Sequence, residues 1–123
     1  MLLTYCGGMY HFARWNEEAR GARAHAWAFA GWFAFGFMTK FVAALFLPLV
    51  AAVAFVWQRD AWPRLRARAG EWVWPAVAAC FVIAPWFVYE HRMFGAAFWA
   101  QIFGKQVFQR FTSYLDPNHL RPW

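Results

Sequence analysis

Residues 26–57 read AWAFAGWFAFGFMTKFVAALFLPLVAAVAFVW, an apolar stretch interrupted by the charge of Lys40. As a single helix it is about 48 Å long, whereas the hydrocarbon core of a bilayer is about 30 Å thick. A single helix also places the Lys40 ammonium near the midplane, which costs at least about 2.5 kcal/mol. A turn near Thr39 and Lys40 brings the ammonium to the membrane surface instead. The stretch therefore predicts a helical hairpin, although its short arms require a thinned bilayer or shelter by neighbouring helices.

Arginine-rich segments flank the hairpin on both sides. Residues 14–25 read RWNEEARGARAH, and residues 58–70 read QRDAWPRLRARAG. Because a hairpin returns to the side that it left, both segments fall on one side of the membrane. Short loops rich in arginine favour the cytoplasmic side. Lys40 and the segment that follows residue 89 are then predicted to lie outside.

The composition is typical of a membrane protein. Of the 123 residues, 63% are hydrophobic, 24% are aromatic and 15% are charged, well outside the usual composition of a soluble domain. The net charge of +6 comes from arginines in short polar gaps, which favours lipid headgroups over nucleic acid as the partner. Cys6 and Cys80 lie in apolar runs without a close-spaced partner. We therefore expect buried thiols there, with no disulfide or metal site.

The remaining sequence divides into three segments. Residues 1–12 are apolar but too short to span a bilayer, and they resemble the second half of a helix. Residues 72–89 are predicted to span, with a kink at Pro85. Residues 90–123 are predicted to be exterior, and within 94–111 large apolar residues recur at helical spacing, which predicts an amphipathic interfacial helix. The predicted fold is all-α, with polytopic transmembrane helices formed by the hairpin and one spanning helix.

The predicted outer face gathers a set of basic residues, namely Lys40, Arg92, Lys105, Arg110, His119 and Arg121. Such a cluster suits an anionic headgroup, and arginine binds phosphate oxygens through two parallel hydrogen bonds. The alternative is that these side chains only anchor the protein to phospholipid. Glu90, His91 and His119 lack a metal-ligand spacing such as HExxH, so ordinary interfacial histidines are favoured over a metal site.

Four short motifs follow one another along the chain. They are GFMTK at residues 36–40, PWF at residues 85–87, Arg110 with Phe111, and HLRPW at residues 119–123. Their order and spacing resemble those of bacterial GT-C membrane glycosyltransferases, the type that includes protein O-mannosyltransferases and the 4-amino-4-deoxy-L-arabinose transferases of lipid A. The resemblance covers nearly the whole chain and implies a partial GT-C fold.

The resemblance also implies an activity. A sugar would pass from a polyprenyl-phosphate donor to lipid A, protein or another glycan, at the outer face of the bacterial inner membrane. Lys40 and Arg110 would hold the donor phosphate, and His119 would line that site. Cations stabilise the negative charge that grows on the leaving phosphate. A divalent metal in the complete enzyme stays open as a cofactor.

This family takes its base from an acidic loop after its first helix, and here no Asp or Glu precedes Glu17. We therefore expect no catalytic residue in this chain, and we expect it to be an internal piece that is inactive alone. The alternative is a small noncatalytic membrane protein that binds lipid or a partner helix. Neighbouring coding sequence with the missing loop and later helices would favour the enzyme.

Overall fold

The computed structural model describes residues 1–18, 21–57 and 61–109, and these residues form helices with no strand among them. The α-helices are α1 (Leu2–Glu17), α2 (Ala22–Thr39), α3 (Phe41–Ala44), α4 (Phe46–Trp57), α5 (Ala61–Arg68), α6 (Gly70–Phe94) and α7 (Ala96–Trp99), and a π-helix covers Ala100–Gln109. The all-α prediction is confirmed for the described residues. The chain divides into two compact units, Met1–Pro85 and Trp86–Trp123.

In the first unit, α2 runs back along α1. Gly36, near the end of α2, packs against Thr4 near the start of α1. Phe29, in the first half of α2, packs against Phe12 near the end of α1, with ring centroids 6.1 Å apart. The two helices are therefore antiparallel neighbours.

In contrast, α4 runs in the same direction as α1. Its Leu47 packs against Gly8, and its Phe55 meets Phe12 edge to face, with ring centroids 4.8 Å apart. Because α2 is antiparallel to α1 and α4 is parallel to it, the chain reverses between α2 and α4. Lys40 lies at this reversal, between the end of α2 and the start of α3.

Small and aromatic residues share the core of the first unit. Ala26 is fully buried and Trp15 nearly so, which lets backbones approach while rings fill the remaining space. Trp72 of α6 packs edge to face on both Trp15 and Phe29, with centroids 5.0 and 5.2 Å apart. Each such pair contributes roughly 0.5–1.5 kcal/mol beyond its buried area. Trp72 therefore helps to fix the start of α6 in this unit.

The second unit is described through residue 109. At its turn, Gly95 has a φ of +55°, and its N–H donates to the carbonyl of His91 at 2.8 Å. This positive φ, combined with a ψ of −133°, follows the end of α6 and suits glycine, which has no Cβ to clash. Trp86 and Phe87 of α6 both pack against the buried Phe98 of α7.

Several predicted boundaries differ from the structure because helices extend into the polar segments. α1 continues to Glu17 and α2 begins at Ala22, so residues 14–25 are mostly helical. An ion pair between Arg14 and Glu18, four residues apart, supports the last turn of α1. Residues 58–70 contain α5. The helix predicted over 72–89 runs over Gly70–Phe94 and remains helical through Pro85.

Two further predictions also need correction. An amphipathic helix was predicted over 94–111, and through residue 109 the structure divides this range into the end of α6, the short α7 and the π-helix. The prediction of buried thiols is wrong, since Cys6 and Cys80 are free and exposed. An apolar run can thus lie at the surface of the chain, where lipid would cover it. α6 is the described helix that is long and apolar enough to cross a membrane, and α4 is a shorter apolar helix.

Candidate functional site

The GFMTK motif ends α2 and exposes the side chain of Lys40. The hydroxyl of Thr39 and the backbone N–H of Lys40 both donate to the carbonyl of Gly36, at 2.9 and 2.8 Å. Lys40 then leaves the helical conformation, with φ −154° and ψ 81°. Its carbonyl accepts from the N–H of Ala44 at 3.1 Å. The backbone on both sides of Lys40 is therefore hydrogen-bonded, while its side chain is exposed.

Residues near the N-terminus of α1 contact the C-terminal end of α2 and hold it in place. A Cβ placed on Gly36 would lie 2.5 Å from Cγ2 of Thr4, whose exposed fraction is 3%. Glycine is thus required at this position by the close approach of the two helices. On the other side of the reversal, the Tyr5 hydroxyl donates to the carbonyl of Ala43. α1 therefore contacts the chain both before and after Lys40.

The structure describes only part of the predicted phosphate site. Lys40 is exposed, as contact with a ligand requires. Arg110 and His119 lie outside the described residues, so their grouping with Lys40 stays a prediction. Within residues 1–18, 21–57 and 61–109, no group of three or more His, Cys, Asp or Glu side chains could hold a metal ion.

Trp86 and Phe87 of the PWF motif form the aromatic centre of the second unit. Trp86 meets Phe98 edge to face at 5.7 Å, and Phe87 stacks on Trp99 with their planes only 5° apart. The indole N–H of Trp99 donates to Nδ1 of His91 at 3.0 Å. His91 is thus bonded to an aromatic residue of the same unit.

Arg68 forms a cluster of polar contacts at the C-terminal end of α1 that the sequence analysis did not predict. The Arg68 guanidinium donates to the backbone carbonyls of Trp15 and Glu18, at 3.3 and 3.1 Å. It also pairs with Glu71 at 3.0 Å, and it lies 4.8 Å from the Trp15 ring centroid. The Trp15 indole donates to the same carboxylate at 2.9 Å. The i,i+3 spacing of Arg68 and Glu71 is visible in the sequence, but the partners on α1 are not.

Two histidines, His11 and His25, lie near the same end of α1. Nδ1 of His11 is 2.8 Å from Nδ1 of His25, and Nε2 of His25 is 3.1 Å from the carboxylate of Glu18. A hydrogen bond between two Nδ1 atoms needs one of them to be unprotonated.

The chain is similar to a segment of known transferases, but it matches no family profile and no solved structure. It is 33% identical over 110 residues to "Undecaprenyl phosphate-alpha-4-amino-4-deoxy-L-arabinose arabinosyl transferase" of Pseudomonas aeruginosa (strain LESB58), covering 88% of this chain and 19% of the relative. It is 35% identical over 118 residues to "Undecaprenyl phosphate-alpha-4-amino-4-deoxy-L-arabinose arabinosyl transferase 1" of Pseudomonas fluorescens (strain Pf0-1), covering 91% and 19%. The chain thus spans about a fifth of the length of the curated relatives it matches.

Proposed function

We propose that this chain is part of a membrane glycosyltransferase with a polyprenyl-phosphate sugar donor, and that Lys40 binds the donor phosphate. The observation that carries the proposal is the exposed Lys40 side chain at a helix end held by Gly36 and Thr39. The relatives support it, since both are named arabinosyl transferases and their names include an undecaprenyl-phosphate sugar. Lipid A, protein and other glycans are the acceptors that the resemblance suggests.

The proposed chemistry is displacement at the anomeric carbon of the sugar. The acceptor oxygen forms the new bond, and the bond to the lipid phosphate breaks. Negative charge then grows on the leaving phosphate, so a fixed ammonium at Lys40 stabilises the transition state more than the ground state. Arg110 and His119 complete the phosphate site in this proposal, and the base that accepts the proton of the acceptor comes from outside this chain.

We also propose a multi-pass position in the inner membrane, with Lys40 on the outer side. The contacts of α1 support this topology. Arg68 binds the carbonyls at the C-terminal end of α1, whereas Oγ1 of Thr39 lies 3.6 Å from the sulfur of Met1, next to the N-terminal end of α1. The arginine-rich helix α5 and Lys40 are thus at opposite ends of α1. Exposed apolar side chains on α4 and α6, such as Leu49, Val53 and Phe81, would face lipid.

A chimera tests the proposal. The matching 110-residue segment of the P. aeruginosa relative would be replaced by this chain, and sugar transfer would be measured by mass spectrometry of the product. Lys40→Ala should lower transfer about a hundredfold, the size expected when one preorganised charge contact to the transition state is lost. Lys40→Arg should retain part of the activity because it keeps the charge. The 123-residue chain alone should give no product.

The matched control is Arg64→Ala, which removes an exposed cation from α5. It should leave transfer near normal. Equal losses in Lys40→Ala and Arg64→Ala would contradict a specific phosphate contact and indicate a general effect of charge.

A noncatalytic membrane protein that binds lipid or a partner helix is the second candidate. The exposed apolar side chains of α4 favour it. A chimera that inserts and folds but transfers no sugar, beside a fully active parent transferase, would support this candidate over the enzyme.

A further inference from the structure

Two consecutive residues of α1 hold the chain on either side of Lys40. Thr4 packs against Gly36, which precedes Lys40 in the last turn of α2. The hydroxyl of Tyr5 donates to the carbonyl of Ala43, which follows Lys40 in α3. Because Thr4 and Tyr5 belong to the same turn of α1, both flanks of Lys40 are tied to one helix.

The hydrogen bond from Tyr5 supports the weaker of these two flanks. On one side, Lys40 follows α2, a helix of 18 residues. On the other side, α3 has only 4 residues, and a single helical turn is not stable by itself. The N–H of Ala44 donates to the carbonyl of Lys40 at 3.1 Å, and this is the first backbone hydrogen bond of the turn. By binding Ala43, the Tyr5 hydroxyl holds the turn that begins at Lys40.

We propose that Tyr5 is a positioning residue for the donor phosphate and acts through Lys40. Because the Lys40 side chain is exposed, the position of its ammonium depends on the backbone from which it extends. A charge stabilises a transition state best when it is in place before the reaction, and a misplacement of about 1 Å can cost a hundredfold in rate. Tyr5 holds that backbone from α1, while its own hydroxyl is bonded to Ala43.

This inference rests on the proposed function, from which it takes the phosphate contact of Lys40, and it adds the residue that keeps Lys40 in place. Tyr5 is partly buried, and its ring packs against the core of the first unit. Phenylalanine would keep this packing and would lack only the hydroxyl. Tyr5→Phe therefore removes the hydrogen bond to Ala43 with little change to the core.

The first test measures phosphate binding by the 123-residue chain in detergent micelles, without turnover. Reductive methylation with isotope-labelled formaldehyde labels Lys40, Lys105 and the N-terminus for NMR and keeps their charge. Lys40→Arg identifies the Lys40 signal. The probe is farnesyl phosphate, and farnesol is the uncharged control ligand. The Lys40 signal should shift with farnesyl phosphate and not with farnesol.

Tyr5→Phe should weaken the apparent affinity for farnesyl phosphate about fivefold, the factor that corresponds to one net hydrogen bond. Tyr10→Phe is the matched control, since it removes a hydroxyl from the same helix at a position that is 57% exposed. It should leave the affinity unchanged. Circular dichroism of both variants would show whether the helices are retained.

The second test asks whether Tyr5 acts through Lys40, and it uses the chimera described above. Tyr5→Phe should lower transfer about fivefold when Lys40 is present. It should have no further effect in the Lys40→Ala background, because the charge that it positions is gone. A loss of folded protein would instead lower transfer by the same factor in both backgrounds.

Unchanged affinity in Tyr5→Phe would overturn the inference, and so would equal losses of transfer in the two backgrounds. Failure of the proposed function gives different results. If the Lys40 signal of the unaltered chain does not respond to farnesyl phosphate, the phosphate contact and this inference are both wrong. An inactive chimera, beside a response to farnesyl phosphate that depends on Tyr5, would contradict only the proposed transfer.

Discussion

The cations near the two ends of α1 lie in opposite environments. At the end of α1, the Arg68 side chain is 22% exposed and contacts two backbone carbonyls, a carboxylate and an indole ring. At its start, about 24 Å away, Lys40 extends from a hydrogen-bonded helix end and is exposed. A cation surrounded by fixed partners stabilises the fold. An exposed cation on a fixed backbone remains able to bind a ligand.

The largest expected effect concerns the side of the membrane that each end faces. On a Cys6→Ser and Cys80→Ser background, Lys40→Cys and Arg64→Cys should react with a membrane-impermeant maleimide from opposite sides. The reason is that α5 and Lys40 lie at opposite ends of α1. Both cysteines should react after detergent solubilisation, which controls for access. Labelling of both from one side would contradict the hairpin topology.

Loss of the Arg68 side chain should lower the free energy of unfolding by about 2 kcal/mol, because it leaves two carbonyls and Glu71 without their charged donor. Denaturant titration in mixed micelles would measure the change in Arg68→Ala. Arg68→Lys should fall in between, since an ammonium cannot reproduce the planar fork of the guanidinium. Lys40→Ala is the matched control and should leave stability nearly unchanged. Equal destabilisation by both alanine variants would remove the distinction between the two ends.

At the Lys40 end, Gly36→Ala should cost about 1 kcal/mol, because its Cβ would overlap Cγ2 of Thr4. Gly31→Ala is the control in the same helix. Its Cβ would meet nothing within 4 Å, so it should be neutral or stabilising. Shortening the opposing side chain with Thr4→Ser should restore the stability of Gly36→Ala. Equal effects of alanine at both glycines would argue against a close approach of α1 and α2.

The sequence predicted the features that depend on local chemistry. The apolar runs indicated helices, and the position of Lys40 indicated where the long run would break. Contacts between distant residues could not be predicted, because nothing near Arg68 identifies its partners on α1. The error at Cys6 and Cys80 has a physical cause, since an apolar run can face lipid as readily as a protein core. Of the predicted phosphate site, only Lys40 lies within the described residues.

The hydrogen bond from Arg68 to the Glu18 carbonyl also affects the order of events during synthesis of the chain. Glu18 and Arg68 are separated by 50 residues, which a ribosome adds in about 3–10 s at typical rates. During that interval the last carbonyls of α1 have no guanidinium to bind, and water or lipid headgroups must solvate them. Under the proposed multi-pass topology, α1, α2 and α4 therefore begin to insert before Arg68 has been synthesised. The docking of α6 against Trp15 becomes a later, separate step of biogenesis.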